Sequence, residues 1–427
     1  MAVSARYVDD LAPVAVARGN PKLPTSSRTV HGLVAIVHGE QTKAVLCFNV
    51  MNEIVRVAIV GCGVIGRVQA WSFASLENAR VHVLIDQDAQ RAEQLSADIE
   101  QLFGDRAGFV PPRIATNMEE AWLADEVDAV SIALPHDLHR HAFEACVNAQ
   151  RPVMCEKPYA TTIQDLRAMH QLSLHAPVPT MGVFQHRYAP LVQFLRRAIR
   201  SGQFGRITRA EVDFACYRGE AYYDSENWRG SWTREGGSLL INQAIHTIDL
   251  LTYLLGQAAW VNGRVERRWV PNIETEDWAE GQVGFLKQGH EWLAPDLVAQ
   301  INAVNRMGNG WSPALHITGD EAAISILGSD TVTSISGGPE HLHTELQAVL
   351  SQDLNLPQLP GKNDYSDLHT LQIRDFVHSV ASPTHQPLFQ LHDATDTNEL
   401  VLAFYTASAT GNRQNLPLSE QRRPTLR

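Results

Sequence analysis

One lysine stands where the sequence can support acid–base chemistry. Lys157 lies in the segment CEKP at residues 155–158, directly after a short apolar run that predicts a buried strand. A partly desolvated lysine can bind a substrate hydroxyl and stabilise the negative charge that develops on its oxygen, and its pKa is easily shifted. The residues EKP at 156–158 would also suit a surface lysine before a turn-forming proline. Lys157 is therefore a candidate catalytic residue only together with other features.

A second polar group follows a pair of glycines further along the chain. If this segment is a helix, four polar residues recur at steps of four, three and four and share one face: Asn242, His246, Asp249 and Tyr253. A lone histidine on such a helix would more often be structural. The amide and the carboxylate beside it favour instead an imidazole that is oriented to accept a hydroxyl proton. We therefore predict that Lys157, His246 and Asn242 form the catalytic group.

The segment GCGVIG at residues 61–66 matches the GxGxxG pattern of dinucleotide-binding domains. It follows a predicted strand and opens a predicted helix, which is the context that the pattern requires. The first glycine permits a tight turn, the second lets the backbone approach a pyrophosphate, and the third lets the helix pack on the strand. A plain tight turn is the alternative. The predicted cofactor-binding residues of this segment are Gly61, Gly63, Val64, Ile65 and Gly66.

Asp86 ends the second predicted strand, twenty residues after Gly66. At that place an acidic side chain accepts hydrogen bonds from the adenosine ribose and repels a 2′-phosphate. No basic residue follows directly, because the chain continues with Gln87 and Asp88, and Arg91 suits the surface of the next helix. The sequence therefore favours NAD, with NADP still possible. The alternative is that Asp86 only caps the following helix.

Strands and helices alternate in the part of the chain that must position these residues. Strands are predicted at 54–60, 80–85, 129–134, 153–155 and 178–184, and helices at 66–76, 89–103 and 136–149. This βαβ order implies a parallel sheet with helices on both faces. Asp86 and Lys157 follow strands, and the carboxyl ends of such strands border the ligand crevice.

The pattern changes after a predicted helix at 189–200. Residues 208–216 alternate between an apolar face and a charged face, which is typical of a strand in an antiparallel sheet that faces water on one side. Further strands are predicted at 261–269, 278–285, 299–304, 315–318, 322–327 and 331–335, and helices at 367–380 and 394–409. A surface loop is predicted at 352–363. The second part of the chain is thus expected to be an α+β domain with an open, mainly antiparallel sheet.

The length of 427 residues exceeds the size at which one hydrophobic core keeps growing. Residues 1–50 show no sustained periodicity, and the first strand pattern begins just after Met51. We predict a loosely ordered extension over 1–50, an NAD(P)-binding Rossmann domain over 51–177, and a substrate-binding and oligomerisation domain over 178–427. A chain that starts at Met51 is expected to fold and turn over like the full chain. A folded accessory element is the alternative for the extension.

Composition argues against several classes of function. The formal net charge of −12 repels polyphosphate, so nonspecific nucleic-acid binding is not expected. The longest apolar runs, at 54–65 and 237–255, are too short or too interrupted to span a membrane. The five cysteines form no CxxC pair, and the first residues lack the basic patch of a signal peptide. We expect a cytoplasmic protein without a metal.

Taken together, the motifs resemble those of the Gfo/Idh/MocA oxidoreductases. The glycine motif, EKP at 156–158, QHRY at 185–188, WRG at 228–230 and the helix at 242–249 occur in the order seen in that family. The likeness runs from about residue 54 to residue 417. It implies an NAD(P)-dependent dehydrogenase or reductase that moves a hydride to or from a ring carbon of a sugar or cyclitol.

Several site residues follow from this resemblance. In the family, the lysine of EKP and the histidine of a D-x-x-x-H segment carry the chemistry, which corresponds here to Lys157 and His246. The family's aspartate is Asn242 in this chain, and an amide can orient a neighbour or hold a hydroxyl but cannot relay a proton. The resemblance also implies a cofactor lined by further residues, which from the sequence alone would be ordinary loop or helix residues: Pro135, His139, Glu156, Trp228 and Arg229.

Two other functions fit the same motifs. One is the family's redox-assisted glycoside hydrolysis, in which a transient 3-keto sugar permits elimination of the leaving group. The other is a regulator that binds the dinucleotide as a signal, as in the galactose-regulon repressor, and the presence of Lys157 and His246 argues against it. The family often pairs through the exposed face of its open sheet, so we expect a homo-oligomer, a dimer or a tetramer.

Overall fold

The computed structural model describes residues 54–286, 289–308, 310–359 and 363–419. All of them belong to the unit that runs from Glu53 to Arg427, so the predicted N-terminal extension lies outside the described residues. Within the described part of the chain, no helix combines the length and the apolar character needed to cross a membrane.

A parallel sheet of six strands forms the first layer, in the order β3-β2-β1-β4-β5-β6. Its strands are β1 (Val55–Val60), β2 (Ala79–Ile85), β3 (Arg113–Ala115), β4 (Ala129–Ile132), β5 (Val153–Cys155) and β6 (Thr180–Gly182). Both faces of β1 are buried, with Val57, Ala58 and Ile59 at 0% exposure, as a sheet flanked by helices requires. The order is that of a doubly wound Rossmann sheet, which confirms the predicted fold class.

The helices of this region are α1 (Val64–Ser75), α2 (Ala89–Phe103), α3 (Glu120–Leu123), α4 (His139–Asn148) and α5 (Ile163–Leu174). Helix α5 was not predicted, although its start carries a capping signal. The Thr162 hydroxyl oxygen accepts the N–H of Asp165 at 3.1 Å and donates to its carboxylate at 2.7 Å. The short elements β3 and α3 were also missed, because three or four residues carry too little periodicity to be recognised.

A second sheet has eight strands in the order β13-β12-β11-β7-β10-β9-β8-β14. The strands are β7 (Ile207–Cys216), β8 (Ala258–Glu266), β9 (Trp278–Phe285), β10 (Val298–Asn305), β11 (Ser312–Gly319), β12 (Ala322–Leu327), β13 (Thr331–Gly337) and β14 (Gln414–Asn415). Neighbours are antiparallel except β10 and β7. Ala210, Val212 and Phe214 of β7 are buried, which confirms the alternation predicted for this strand.

Helices cover the inner face of the second sheet. The remaining α-helices are α6 (Pro190–Arg200), α7 (Glu220–Asp224), α8 (Ile245–Leu255), α9 (Glu340–Leu350), α10 (Asn363–Ala381) and α11 (Thr395–Thr410). Gly263 of β8 and Gly281 of β9 lie directly against the ring of Phe404 on α11, where a side chain on either glycine would collide with the ring. Helices α7 and α9 were not predicted. Residues 352–359 have no regular secondary structure, in line with the predicted loop.

The strand predicted at 261–269 was placed too far along the chain, because β8 ends at Glu266. Asp277 explains the early end. Its carboxylate accepts the N–H groups of Arg268, Trp269 and Val270 at 2.6, 2.6 and 2.7 Å. These amides are therefore satisfied by a side chain and cannot continue the ladder of the sheet.

The boundary predicted at 177/178 lies between α5 and β6. Strand β6 pairs with β5, so it belongs to the parallel sheet. Helix α10 also packs on this part of the fold, with Phe376 in edge contact with Phe73 of α1 at 6.4 Å between ring centroids. Any division between the two sheets thus lies after β6, and the C-terminal part of the chain returns to cover the first sheet.

Candidate active site

The glycine loop between β1 and α1 has a shape that only glycine permits at two positions. Gly61 has a φ of +96°, and a side chain there would collide with the carbonyl of Ala133. A side chain on Gly66 would collide with the carbonyl of Gly61. At Gly63, by contrast, an added Cβ would meet no atom within 4 Å. The loop is closed towards the protein and open on its outer side.

Helix α1 begins directly after this open position. Its N-cap is Gly63, and its first turn contains no acidic residue. The first amides of a helix have no partner within the helix, and they attract anions. The N–H groups of Val64 and Ile65 and the open space over Gly63 therefore fit the pyrophosphate of a dinucleotide.

Asp86 closes the loop from the end of β2. Its Oδ2 accepts the N–H of Cys62 at 2.8 Å, and its Oδ1 accepts the N–H of Asp88 at 2.9 Å. The N-cap of α2 is Asp88, whose carboxylate accepts the N–H of Gln90 at 3.1 Å. The alternative that Asp86 caps this helix is therefore wrong. The Asp86 carboxylate lies beside the glycine loop, where a nucleotide ribose would come.

Lys157 lies at the carboxyl end of β5 and is 9% exposed. Its Nζ donates to the backbone carbonyl of Asn242 at 2.9 Å and to Asn242 Oδ1 at 3.0 Å. Burial lowers the pKa of the Lys157 ammonium, and the carboxylates of Glu156 and Glu235 oppose this effect. Two residues that are 85 positions apart in sequence, both predicted to be catalytic, are thus in direct contact.

Glu235 extends this contact into a chain of three side chains, and the sequence analysis missed it. Its Oε1 accepts a hydrogen bond from Asn242 Nδ2 at 2.6 Å, and its Oε2 accepts the N–H of Gly230. The side chain is 0% exposed, and burial raises the pKa of Glu235 to about 7. The signal that was available is an acidic residue directly before the two glycines of a buried segment.

His246 stands in the first turn of α8, and its Nε2 is buried with no hydrogen-bond partner among the described residues. Its ring lies 4.9 Å from that of His186, centroid to centroid, and His186 Nδ1 lies 2.7 Å from the hydroxyl oxygen of Ser329. Burial lowers the pKa of His246 well below its ordinary range, and the charge of Lys157 acts in the same direction. The imidazole is therefore neutral at physiological pH and has a free nitrogen.

The prediction that Asn242 and Asp249 orient His246 is wrong. The Asn242 amide is bound to Lys157 and Glu235, as described above. Asp249 is 1% exposed and accepts hydrogen bonds from the guanidinium of Arg187 at 2.9 and 2.7 Å. Its carboxylate is thus neutralised within the core. The orientation of His246 comes from packing against its neighbours.

Helix geometry explains why the predicted polar face does not exist. Leu239–Ala244 form a π-helix, and α8 begins only at Ile245. A π turn contains more residues than an α turn, so residues four apart no longer align. The face that follows is also buried, with Tyr253 at 6% exposure. Only the start of this segment, around Asn242 and His246, can contribute to a site.

The residues that only the family resemblance implied fall into two groups. His139 is 0% exposed, and its ring nitrogens each lie 2.8 Å from a backbone carbonyl oxygen, those of Pro158 and Leu134. It binds the backbone beneath the site, and the contact of its ring with the cofactor stays a prediction. Trp228, by contrast, is half-buried and lies over His136, with 4.8 Å between ring centroids.

The other implied residues border the same region. Pro135 is half-buried, and the guanidinium of Arg229 lies 4.6 Å from the ring centroid of Trp228. Glu156 is 5% exposed, and its carboxylate accepts a hydrogen bond from Gln69 Nε2 at 2.7 Å. Its side chain therefore points into the fold. Among the described residues, no group of three or more His, Cys, Asp or Glu side chains is arranged to hold a metal ion.

Comparisons with known families agree with this geometry. The model of the oxidoreductase family with an NAD-binding Rossmann fold matches residues 55–179. The model of the GFO/IDH/MocA C-terminal domain matches residues 192–325. The two matches cover the parallel sheet as far as its last helix and most of the second sheet.

Individual relatives are more distant. The chain is 27% identical to a D-apiose dehydrogenase of Paraburkholderia graminis over 47% of its length and 49% of that protein. It is 28% identical to an inositol 2-dehydrogenase of Saccharopolyspora erythraea over 47% of its length and 54% of that protein. The chain thus spans about half the length of the curated relatives that it matches.

Among solved structures, the WlbA dehydrogenase of Bordetella pertussis, determined with NADH and UDP-GlcNAcA, superposes with a TM-score of 0.72 at 22% identity. The superposition covers 86% of this chain and 98% of that one. At this level of identity the comparison establishes the shared fold.

Proposed function

Because this chain belongs to the Gfo/Idh/MocA family of NAD-binding oxidoreductases, we propose that it is an NAD-dependent dehydrogenase or reductase of CH–OH groups in sugars or cyclitols. The observation that carries the proposal is the position of Lys157 and His246. Lys157 is buried at the carboxyl end of β5, which is the ligand side of a dinucleotide-binding fold. Its charge acts on His246, whose Nε2 has no hydrogen-bond partner among the described residues. Relatives named as sugar and cyclitol dehydrogenases support the substrate class.

The glycine loop and its surroundings would hold NAD. The loop amides would bind the pyrophosphate, and Asp86 would accept hydrogen bonds from the adenosine ribose and disfavour the 2′-phosphate of NADP. When bound, the nicotinamide supplies the acceptor or the donor of the hydride. The residues that we assign to the cofactor are Gly61, Gly63, Val64, Ile65, Gly66 and Asp86, with Pro135, His139, Glu156, Trp228 and Arg229 along its nicotinamide half. Glu156, whose side chain points into the fold, would contribute through its backbone.

His246 acts as the base for the substrate hydroxyl. Its Nε2 is unpaired, and burial keeps the imidazole neutral, so the nitrogen can accept a proton. Lys157 donates a hydrogen bond to the same oxygen and stabilises the alkoxide that forms as the proton leaves. In the reverse direction the protonated His246 returns the proton to the oxygen. Asn242 fixes the Lys157 ammonium through two oxygens and carries no proton itself.

Glu235 is a positioning residue in this scheme. The Asn242 Nδ2 can only donate, so its bond to the carboxylate of Glu235 turns the Asn242 Oδ1 towards Lys157. The charge of Glu235 also raises the pKa of Lys157. A carboxylate next to position 242 thus takes over part of the role that the family gives to an aspartate at that position.

A substrate panel tests the proposed activity. Reduction of NAD would be measured with free sugars and inositols, beside the release of nitrophenol from nitrophenyl glycosides. We expect NAD reduction with at least one free sugar or inositol. Release of nitrophenol without net NAD reduction would instead identify the redox-assisted glycosidase. NAD binding without either reaction, unchanged by substitution of Lys157 or His246, would identify a regulator.

We further propose that the protein is a cytoplasmic homo-oligomer that associates through the open face of the second sheet. Arg209, Glu211 and Asp213 alternate on that face with the buried residues of β7. Light scattering that finds only a 47.3 kDa species would contradict the association.

A further inference from the structure

Two arginines next to the Lys157–Asn242 pair have no carboxylate partner among the described residues: Arg218 and Arg229. Their guanidinium carbons lie 5.2 and 4.2 Å from the ring centroid of Tyr222. The hydroxyl oxygen of Tyr222 lies 3.5 Å from Asn242 Nδ2. Both arginines also lower the pKa of Lys157, as positive charges near its ammonium must. They therefore border the proposed substrate site.

The backbone of Arg218 is fixed by hydrogen bonds, whereas the Nε of its side chain has no hydrogen-bond partner among the described residues. The buried Asn305 accepts the Arg218 N–H at 2.6 Å and donates to its carbonyl at 3.1 Å. The guanidinium lies over Trp311, and its Nε is buried without a hydrogen-bond partner. A buried donor without a partner is costly, so such a group is usually satisfied by protein, by water or by a ligand. The Nε of Arg229 is unpaired in the same way.

The charge balance at this place is opposite to that of the whole chain. The protein carries a formal charge of −12, and other buried arginines such as Arg187 are paired with carboxylates. Around Lys157, three cations face the carboxylates of Glu235 and Glu156, which are buried and already accept hydrogen bonds. An oxidised nicotinamide ring would add one more positive charge. An anion is therefore favoured beside the reacting hydroxyl.

We infer that Arg218, together with Arg229, binds an anionic substituent, a carboxylate or a phosphate, of the sugar that the site oxidises or reduces. The planar fork of a guanidinium suits either group, because it can donate two parallel hydrogen bonds. This inference rests on the proposed function and narrows its substrate class to anionic sugars. The pyrophosphate of the cofactor is the other anion that a guanidinium at this place could bind. Arg229 can contact both the pyrophosphate and the anionic group of the substrate.

Binding measurements on the NADH complex test this inference without turnover. The probes are matched pairs: D-glucuronate or D-glucose 6-phosphate against D-glucose, and D-galacturonate against D-galactose. Calorimetry would be done on the wild type, Arg218→Met, Arg218→Lys and Arg413→Met. The last variant is a control, because Arg413 also lies over an aromatic ring, 5.1 Å from that of Trp260. It lies next to the edge strand β14, whereas Arg218 follows the central strand β7.

In the wild type, at least one anionic sugar is expected to bind about tenfold or more tightly than its neutral counterpart, as a charged hydrogen bond implies. Arg218→Met should abolish this preference, Arg218→Lys should keep part of it, and Arg413→Met should keep all of it. NADH affinity should stay within about twofold throughout.

Three results would overturn the inference: no preference in any pair of the wild type, a preference that survives in Arg218→Met, or an equal loss of NADH affinity in that variant. The third would assign the arginine to the pyrophosphate. If Arg218→Met does not fold, the preference of the wild type for anionic sugars and its partial loss in Arg218→Lys still test the inference. A wild type that prefers anionic sugars but oxidises none of the sugars would refute the proposed function alone.

Discussion

Replacing Glu235 by glutamine tests how Lys157, the proposed catalytic lysine, is kept charged. The Glu235 carboxylate is joined to the Lys157 ammonium by hydrogen bonds of 2.6 and 3.0 Å through the Asn242 amide. This path brings the two charges within about 8 Å of each other. At an effective dielectric constant of about 20, two unit charges at that distance interact by about 2 kcal/mol. Loss of this interaction destabilises the ammonium and lowers the pKa of Lys157.

The proposed mechanism uses Lys157 as an ammonium, so the oxidation rate should fall as the pH rises through its pKa. In Glu235→Gln the pKa of Lys157 is lower, because the opposing carboxylate charge is gone, and the alkaline limb of the kcat profile should move to lower pH. The assay is NAD reduction with a saturating substrate across the pH range. Glu276→Gln is the control, because Glu276 is a similarly buried residue whose carboxylate accepts hydrogen bonds from the N–H of Ser238 and from the hydroxyl of Tyr405.

Stability gives a second readout with a definite sign. Burial raises the pKa of Glu235 from 4.5 to about 7, so the folded protein holds this proton more tightly than the unfolded chain. The free energy of unfolding should therefore decline as the pH rises from about 4.5 to about 7, by about 3 kcal/mol in total. Glu235→Gln cannot ionise and should lack this decline. Its absolute stability is no guide, because the N–H of Gly230 loses an acceptor in the variant.

An alkaline limb of Glu235→Gln that coincides with that of the wild type, or an equal shift in Glu276→Gln, would refute the proposed effect of Glu235 on Lys157. A variant that is less stable but has an unchanged pH profile would show that Glu235 only supports the loop at Gly230. Urea denaturation at pH 5 and pH 8 provides the stability comparison for each protein.

Three further predictions follow from the geometry. Lys157→Met and His246→Asn should each lower kcat by roughly a hundredfold to ten-thousandfold with little change in NAD affinity. In steady-state assays the double variant should be little less active than the less active single variant. Losses that add up in the double variant would contradict a shared step. Asp86→Ser combined with Gln87→Arg should reduce the preference for NAD over NADP by about a hundredfold, measured as the ratio of kcat/KM values; a wild type that prefers NADP would refute this role. Asp249→Ala leaves a buried guanidinium unpaired and should lower the free energy of unfolding by about 3–5 kcal/mol in urea; a loss below about 1 kcal/mol would contradict a buried ion pair.

Features that depend on neighbours in sequence could be predicted. The glycine loop, β7 and the alternation of strands and helices in the first sheet all have short-range patterns, and the structure agrees with them. Asp86 was recognised because its position is fixed relative to the glycine loop.

The contacts within the proposed catalytic group join distant parts of the chain, and no local pattern reveals them. Lys157 and Asn242 were each identified, but the contact between them depends on how the two sheets are arranged. Glu235 and Arg218 were missed because their roles come from partners that lie elsewhere in the fold. The orientation of His246 was predicted from α-helical spacing, and a π-helix invalidates that spacing.

The π-helix at Leu239–Ala244 also has a consequence for chain length. It accommodates the equivalent of one inserted residue, and such bulges are frequent at functional sites. Deleting one residue there would let the segment wind as an ordinary helix, with α8 still packed in the core. Asn242 would turn by about 100° around the helix axis and leave Lys157. Homologues that are one residue shorter at this point should therefore keep the fold but need a different partner for the lysine.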